Sequence, residues 1–278
     1  MYYFYSDTAN KAINAIHDGN RSVTLSCDLN LSEVSLGISQ SELILDDHTV
    51  ITLKQLDKIK KTKTRIYVHD GLEIRPLEIR NGDYIKLVPT DTAPYLETSG
   101  VKLHISKGIC PFESAGKMAD TVVKKGFSVL DTCSGLGYSA LRSAKLGARQ
   151  TVTVEISSDI LQLRSENPWS LALYTNDSII QKHKDIASFI KSYDADSFDA
   201  IIHDPPRFSL AGELYGDLFY RELKRVLKKR GRLFHYTGNP YTVKHGNAFV
   251  SGVKKRLYQA GFTTVLPAKN LMGVKAYV

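Results

Sequence analysis

Val129-Leu130-Asp131-Thr132-Cys133-Ser134-Gly135-Leu136-Gly137-Tyr138-Ser139-Ala140 runs from an apolar segment into a carboxylate, through a turn with two glycines, and on into a helix-forming stretch. Glycine reaches left-handed backbone conformations and lets a ligand approach the main chain closely. A turn of this kind at the carboxyl end of a strand is where open α/β sheets bind their cofactors.

Outward from that turn the pattern alternates. A helix is expected near Glu113 to Lys124, a strand over Ser128 to Asp131, a helix over Tyr138 to Lys145 and a strand over Gln150 to Glu155. A helix after Asp159, a third strand before Asp185 and a helix near Ile186 to Tyr193 follow. The strand Asp199 to His203, the helix Gly216 to Lys228 and the strand Arg232 to Tyr236 come next. Such alternation indicates a parallel sheet covered on both faces. A helix over Ala248 to Ala260 then leads to two short strands, Thr263 to Pro267 and Gly273 to Val278, which read as a terminal hairpin. Before residue 100 the chain differs: Val23 to Leu29, Glu42 to Leu45, Arg65 to His69 and Tyr84 to Val88 read as short strands, with turn pairs Asp70-Gly71 and Asn81-Gly82. Helices are expected around Thr8 to His17 and Leu53 to Lys61. This gives a β-rich domain over residues 1–100 and an α/β domain over 101–278.

Gly135-x-Gly137-x-x-Ala140 fits a dinucleotide-binding turn as well as other nucleotide-binding turns. Asp131 separates them on charge. A pyrophosphate against this turn would be repelled by a strand-end carboxylate, whereas S-adenosylmethionine brings an ammonium and a sulfonium that the carboxylate attracts. Glu155 ends the next strand about twenty residues after the first turn glycine, the spacing expected of an acid that accepts from ribose hydroxyls. Asp185, after the third strand, is placed to accept from an adenine amino group, with helix capping as the competing reading.

Asp199-Ala200-Ile201-Ile202-His203-Asp204-Pro205-Pro206-Arg207-Phe208-Ser209 is a second strand ending in a marked turn. Two prolines fix the backbone as it leaves the sheet. Asp204 and the Pro205 carbonyl then become fixed acceptors that hold the hydrogens of an amine nucleophile while its lone pair stays aimed at a methyl group. Phe208 supplies a ring for stacking.

On these motifs, residues from about Lys107 to Val278 resemble a class I S-adenosylmethionine-dependent methyltransferase, and Asp204 to Tyr215 is similar to a stretch of predicted archaeal members. The resemblance implies a Rossmann-like, doubly wound seven-stranded sheet with a reversed last strand. It also implies that Asp131, Gly135 and Gly137, with Cys133 and Tyr138 in the same turn, form the methionine side of the site, that Glu155 holds the ribose and that Asp185 meets the adenine. Lys107, Gly108 and Pro111 fall where the superfamily folds over the methionine end, with a domain linker as the alternative. Two departures stand out: Cys133 replaces the usual first glycine, and the aromatic after Asp-Pro-Pro comes one place late, as Phe208 behind Arg207. Asp-Pro-Pro-x-Phe-Ser also resembles some ribosomal RNA methyltransferases that carry an extra N-terminal RNA-binding domain.

With 278 residues, 42% hydrophobic and 24% charged, the chain can bury a core and is not a disordered tail. No apolar run reaches the ~18 residues of a membrane span. The start lacks the features of a signal peptide, and Cys27, Cys110 and Cys133 are odd in number and scattered, so a cytoplasmic protein is expected. Cys110 and Cys133 read as small buried thiols rather than nucleophiles. His203, His235 and His245 have no metal-ligand spacing, so no metal is expected. His235 would suit a general base, against the plainer reading of a hydrogen-bonded strand-end histidine. The net charge of +8 favours an anionic partner, and the runs at Lys58 to Lys63, Lys224 to Arg232 and Lys254 to Arg256 are either phosphate contacts or solvated helix faces. The expected function is methyl transfer to a nitrogen of RNA, with the N-terminal region recognising substrate. Transfer to a protein or a small amine such as a polyamine is the enzymatic alternative, and a non-catalytic RNA-binding module is the third reading.

Overall fold

The computed structural model describes residues 1–46, 48–238 and 246–278. The chain forms two units: Met1–Pro111 with Ser165–Trp169, and Phe112–Arg164 with Ser170–Val278.

The first unit is β-rich. Tyr2–Phe4, Tyr67–His69 and Ile74–Pro76 make a three-stranded antiparallel sheet. Ser22–Leu25, Val34–Ser39, Glu42–Asp46 and Thr49–Thr52 form one four-stranded meander, and Glu78–Asn81, Asp83–Val88, Tyr95–Thr98 and Val101–Lys102 form another. Helices Ser6–His17 and Leu53–Lys60 share a core with the three-stranded sheet and the first meander through Phe4, Ile13, Leu25, Leu43, Ile51 and Leu56. The second helix starts at Thr52, whose hydroxyl accepts from the Gln55 backbone while the Gln55 side chain returns to the Thr52 N–H.

Three features of this unit depart from the sequence reading. The strand expected to run to Leu29 stops at Leu25, because Asp28 gathers the N–H groups of Leu31 and Ser32 and turns the chain, with Leu29 and Asn30 in the left-handed region at φ 58° and 71°. The unit extends past residue 100 to Pro111, since Val101 and Lys102 pair with Thr98 and Glu97. Ser165–Trp169 joins it from far along the chain: Tyr3 donates to the Glu166 carbonyl at 2.7 Å, Arg75 pairs with the Glu166 carboxylate at 2.6 Å, and the Trp169 indole donates to the Leu29 carbonyl at 2.8 Å.

In the second unit β1 (Ser128–Asp131), β2 (Gln150–Glu155), β3 (Ile179–His183), β4 (Phe198–His203), β5 (Leu227–Tyr236), β6 (Thr264–Ala268) and β7 (Gly273–Tyr277) form one sheet in the order β3-β2-β1-β4-β5-β7-β6. The first five strands run parallel and β7 is antiparallel to both neighbours. This is the seven-stranded sheet with reversed last strand that the resemblance implies. α1 (Pro111–Val122), α2 (Tyr138–Lys145), α3 (Ser158–Ser165), α4 (Ile186–Phe189), α5 (Asp217–Val226) and α6 (Gly246–Gln259) complete the alternation.

Alternate strand residues serve opposite faces, as the twofold strand period requires. Leu130, Ile201 and Leu233 pack with Ile186, Phe219, Leu223 and Val253, whereas Val129, Ala200, Ile202 and Phe234 pack with Met118, Ala119 and Val122. Each large aliphatic side chain buried in this way contributes about 1.5–3 kcal/mol. At the amino edge of the sheet Asp199 accepts from the Ser128 N–H at 2.8 Å and from Lys228 at 3.0 Å, which ties β1, β4 and β5 in register. Among the described residues no helix is long and apolar enough to cross a membrane.

The turn between β1 and α2 depends on glycine for packing as well as for conformation. Gly137 has φ 75°, and a Cβ there would overlap the buried Leu173 side chain. Gly137→Ala is therefore expected to destabilise the protein by about 2–4 kcal/mol, from left-handed strain and overpacking together. Urea denaturation measures this, and a loss below about 1 kcal/mol would mean that the Leu173 side chain yields freely.

Candidate active site

Parallel pairing delivers the ends of five strands to one edge of the second unit. Asp131 pairs with Thr153 and Ile202, Glu155 with His183, and His203 with His235. Asp131, Glu155, Asp185, Asp204 and Tyr236 thus stand at or just beyond the carboxyl edge.

Asp131 is fully buried. Its Oδ2 accepts from Thr153 at 2.7 Å and Ser139 at 3.1 Å, while Oδ1 has no partner among the described residues. Burial raises its pKa to about 6, against the lowering effect of the two hydroxyls and of the Arg164 charge. Glu155 accepts three backbone N–H groups: Gly135 at 2.9 Å, and Ile156 and Ser157 at 3.0 Å. Burial nonetheless outweighs these bonds and raises its pKa. A carboxylate has about four acceptor positions, so room remains on Glu155 for a further donor.

Asp204 is half-buried, and among the described residues its carboxylate accepts no hydrogen bond. Loss of water and then the Asp131 charge push its pKa to about 7. Pro205 is buried, and Tyr215 holds the loop by donating to the Pro206 carbonyl at 3.0 Å. Phe208 is 55% exposed and rests edge-on against Tyr215 and Phe249, with centroids 5.7 and 5.9 Å away. Tyr236 is half-buried next in register to Asp204, and burial followed by the Asp204 charge raises its pKa to about 12.

The remaining candidates differ in exposure and in what they touch. Asp185 caps α4, accepting from the Ala187 and Ser188 N–H groups and the Ser188 hydroxyl. Burial pushes its pKa up, but these bonds outweigh it and leave the pKa lowered. It is exposed, so its free lone pairs face solvent. Tyr138 is 1% exposed, with its ring 5.2 Å from Phe112. The Cys133 thiol is kept neutral by burial and the Glu155 charge, which raise its pKa well above the ordinary value. Lys107 is exposed in the first unit, outside the set that the second unit gathers.

His235 does not meet the requirement for a base. It is fully buried, its Nε2 is 2.7 Å from the Tyr220 hydroxyl and its Nδ1 faces the His203 carbonyl at 3.4 Å. A carbonyl only accepts, so Nδ1 carries the proton and Nε2 accepts from Tyr220, and neither nitrogen is open to a substrate. His203 is closed in the same way, between Thr132 and the Leu214 carbonyl. His245, with Asn239 and Pro240, lies outside the described residues.

Sequence reasoning missed Arg164, on α3. It is 2% exposed, donating to Ser134 Oγ, to the Gly135 carbonyl at 3.4 Å and to Gln181 at 2.8 Å. A basic residue in a last helical turn ordinarily reads as a complement to the helix dipole, so no local signal marked it. Thr153 and Ser139 were missed because a hydroxyl in a strand or helix looks the same whether or not a carboxylate faces it.

The cluster suits a cationic ligand with ribose-like hydroxyls. The Asp131 Oδ1 left without a partner among the described residues costs about 1–3 kcal/mol unless a donor meets it.

No protein-family model matches the chain. A crystal structure of spermidine synthase in complex with the transition state analogue AdoDATO is similar at a TM-score of 0.60 over 72% of each chain, and at 13% identity the likeness is one of fold. The ribosomal RNA large subunit methyltransferase I of Aeromonas hydrophila is 25% identical over 155 residues, 52% of this chain and 39% of that protein. The uncharacterized protein MJ1233 of Methanocaldococcus jannaschii is 37% identical over 286 residues, covering 99% of this chain and 95% of its own. With that identity sustained across both units, the chain belongs to the family of MJ1233.

Proposed function

We propose that this protein is an S-adenosylmethionine-dependent methyltransferase that acts on an amino nitrogen of RNA. The observation that carries the reading is the pair of carboxylates at adjacent strand ends, Asp131 with a buried oxygen and Asp204 with a carboxylate that meet no hydrogen-bond partner among the described residues, beside a glycine turn whose Gly135 N–H donates to Glu155. S-adenosylmethionine, when bound, supplies an electrophilic methyl group on a sulfonium. Asp131 Oδ1 would accept from the cofactor's ammonium, Glu155 would accept a ribose hydroxyl at its free position, and Asp185 would accept from the adenine amino group. Gly135 lets the main chain come close, and Cys133 walls the turn.

Asp204 and the Pro205 carbonyl would hold the hydrogens of the nucleophilic amine; as the nitrogen–carbon bond formed, the sulfonium–methyl bond would break, the neutral thioether would leave, and the ionised Asp204 would take the proton. Phe208, backed by Tyr215 and Phe249, offers a face on which a base stacks. RNA is favoured by the net charge of +8 and by the partial likeness to a ribosomal RNA methyltransferase. A small amine is the second reading, favoured by the shared fold with spermidine synthase and by a lone carboxylate that equally suits an aliphatic amine. Incubation with cofactor labelled in its methyl group and fractionated cell extract separates the two: label in RNA supports the first and label in small molecules the second.

S-adenosylhomocysteine should raise the melting temperature while a nicotinamide dinucleotide does not. Glu155→Ala should weaken its binding by about 1.5–3 kcal/mol, as expected for a lost charged acceptor. Unchanged affinity in calorimetry would mean that another group holds the ribose.

Because Asp204 must be ionised to take the proton and its pKa stands at about 7, turnover should rise with pH through about 7. Asp204→Asn should abolish that rise and lower turnover far more than cofactor affinity. Equal loss of both would make Asp204 a binding or folding residue.

Lys58, Lys60, Lys61 and Lys63 are exposed at the end of Leu53–Lys60, with Asp57 the carboxylate among them, and none forms an ion pair among the described residues. If they meet RNA phosphates, log affinity for single-stranded RNA should fall with log salt by about 0.7 per contact, and replacing all four with glutamine should flatten the slope by up to about 3. An unchanged slope would leave them as solvated charge.

A further inference from the structure

Arg164 poses an electrostatic question that the proposed roles leave open. A buried guanidinium loses most of its hydration and is ordinarily matched by an acid. Here every partner is neutral: Ser134 Oγ and the Gly135 carbonyl on Nη1, and Gln181 Oε1 on Nη2, while Nε has no partner among the described residues. Gln181 is itself anchored, donating to the Leu173 carbonyl at 3.0 Å. A neutral amide would serve these acceptors without the cost of burying a charge, so the hydrogen bonds alone do not account for an arginine.

The charge finds its reason across the turn. The Gly135 peptide group links the two signs, because its carbonyl accepts from Arg164 while its N–H donates to Glu155 at 2.9 Å. Asp131 lies four residues back along the same segment. Among the described residues, the titratable groups facing this turn are Asp131 from β1, Glu155 from β2, Asp204 after β4, the Tyr215 hydroxyl before α5 and the Cys133 thiol. Three are carboxylic acids, and Arg164 is a cation that favours ionisation of both Asp131 and Glu155.

We propose that Arg164 is a positioning residue of the cofactor site: its buried guanidinium fixes the Ser134–Gly135 turn and supplies the positive charge that keeps the carboxylates of Asp131 and Glu155 ionised for a cationic, ribose-bearing ligand. The ligand part rests on the S-adenosylmethionine reading of the strand-end cluster, whereas the charge compensation does not.

R164Q keeps hydrogen-bonding capacity and removes the charge, and R164K keeps the charge and loses the fork. Two pH series test the assignment. In the first, without ligand, urea unfolding is followed from acid to alkaline pH. With the acids protonated at low pH, R164Q should differ from wild type by a constant amount set by its hydrogen bonds and by the cost, present only in wild type, of burying the guanidinium charge. As pH rises through about 6, where Asp131 ionises, the deficit should grow, since the variant must bury the same carboxylates without a counter-charge. R164K should show little of this growth.

In the second, S-adenosylhomocysteine binding is titrated by calorimetry across the same range. Affinity for wild type should strengthen with pH as the acids ionise. R164Q should show that limb displaced upward by about one unit, the lower end of the effect of a nearby opposite charge, and R164K should keep it near the wild-type position. A deficit independent of pH in both series would overturn the proposal and make Arg164 a structural hydrogen-bonding residue. If R164Q fails to fold, R164K alone decides, because a limb displaced in a variant that retains the charge overturns it equally. A wild-type protein that binds no S-adenosylhomocysteine at any pH, with the ligand-free deficit still growing, would overturn the cofactor reading and leave the charge compensation standing.

Discussion

The burial of Asp131 at the end of the central strand is the constraint to which the second unit is fitted. A carboxylate stripped of water must be satisfied by its surroundings. Ser139 reaches it from α2 and Thr153 from β2, so the strand order and the pitch of the helix after the turn both bear on one oxygen. The other oxygen has no partner among the described residues. The arrangement works against the fold at neutral pH. An ordinary aspartate ionises near 4, whereas Asp131 ionises at about 6 and Asp204 at about 7. Stability tied to the protonated forms is therefore complete below about pH 4 and is lost as pH rises through 6 and then 7. A sheet selected for stability alone would place hydroxyls or amides there, and the acids persist at a cost that a ligand's positive charge would offset.

Beside this charged edge the sheet carries a neutral polar layer. His203 and His235 lie side by side with ring centroids 4.5 Å apart, both wholly buried, both with depressed pKa values because burial disfavours the imidazolium. Their hydrogen bonds to Thr132, Leu214, Tyr220 and the His203 carbonyl fix each tautomer and join β4 and β5 to α5 and the turn before it. One residue further along, the same two strands deliver Asp204 and Tyr236. The histidines thus belong to the support of the site: they hold the strand ends in place without adding charge to a region already crowded with it.

What the sequence made legible was whatever a local pattern encodes. Strand and helix alternation, the glycine turn, the acids at strand ends and the terminal hairpin all follow from neighbours along the chain, whereas the reversed last strand was implied by the family resemblance. The strand boundary at Leu25 was missed because Asp28 turns the chain through its own carboxylate, a competition that hydrophobic alternation cannot express. Gly137 shows a mixed case. Its position was readable, but its packing against Leu173, from a segment well downstream, was not. Arg164 and the recruitment of Ser165–Trp169 into the first unit were invisible for the same reason: each is settled by partners brought together only by the tertiary fold. His235 was read one step too far, since a polar residue at a strand end looks catalytic until the residue facing it is known.

The surroundings of Asp204 bear on which amine it would meet. A polyamine carries several positive charges along a flexible chain and is best held by several acids spaced apart. Beyond Asp204 the loop presents Arg207, exposed, and then the exposed ring of Phe208 backed by Tyr215 and Phe249, with Glu213 the nearest exposed acid in the chain beyond them. A cation next to the approach works against a polycation and in favour of a phosphate-bearing chain, while a supported aromatic face gains most from a flat partner, by roughly 1–3 kcal/mol for a stacked base. On the proposed reading, one carboxylate for one amino group, one ring for one base and one guanidinium for one phosphate would make a set that a nucleotide matches term by term, and a simple aliphatic amine would leave the latter two unused.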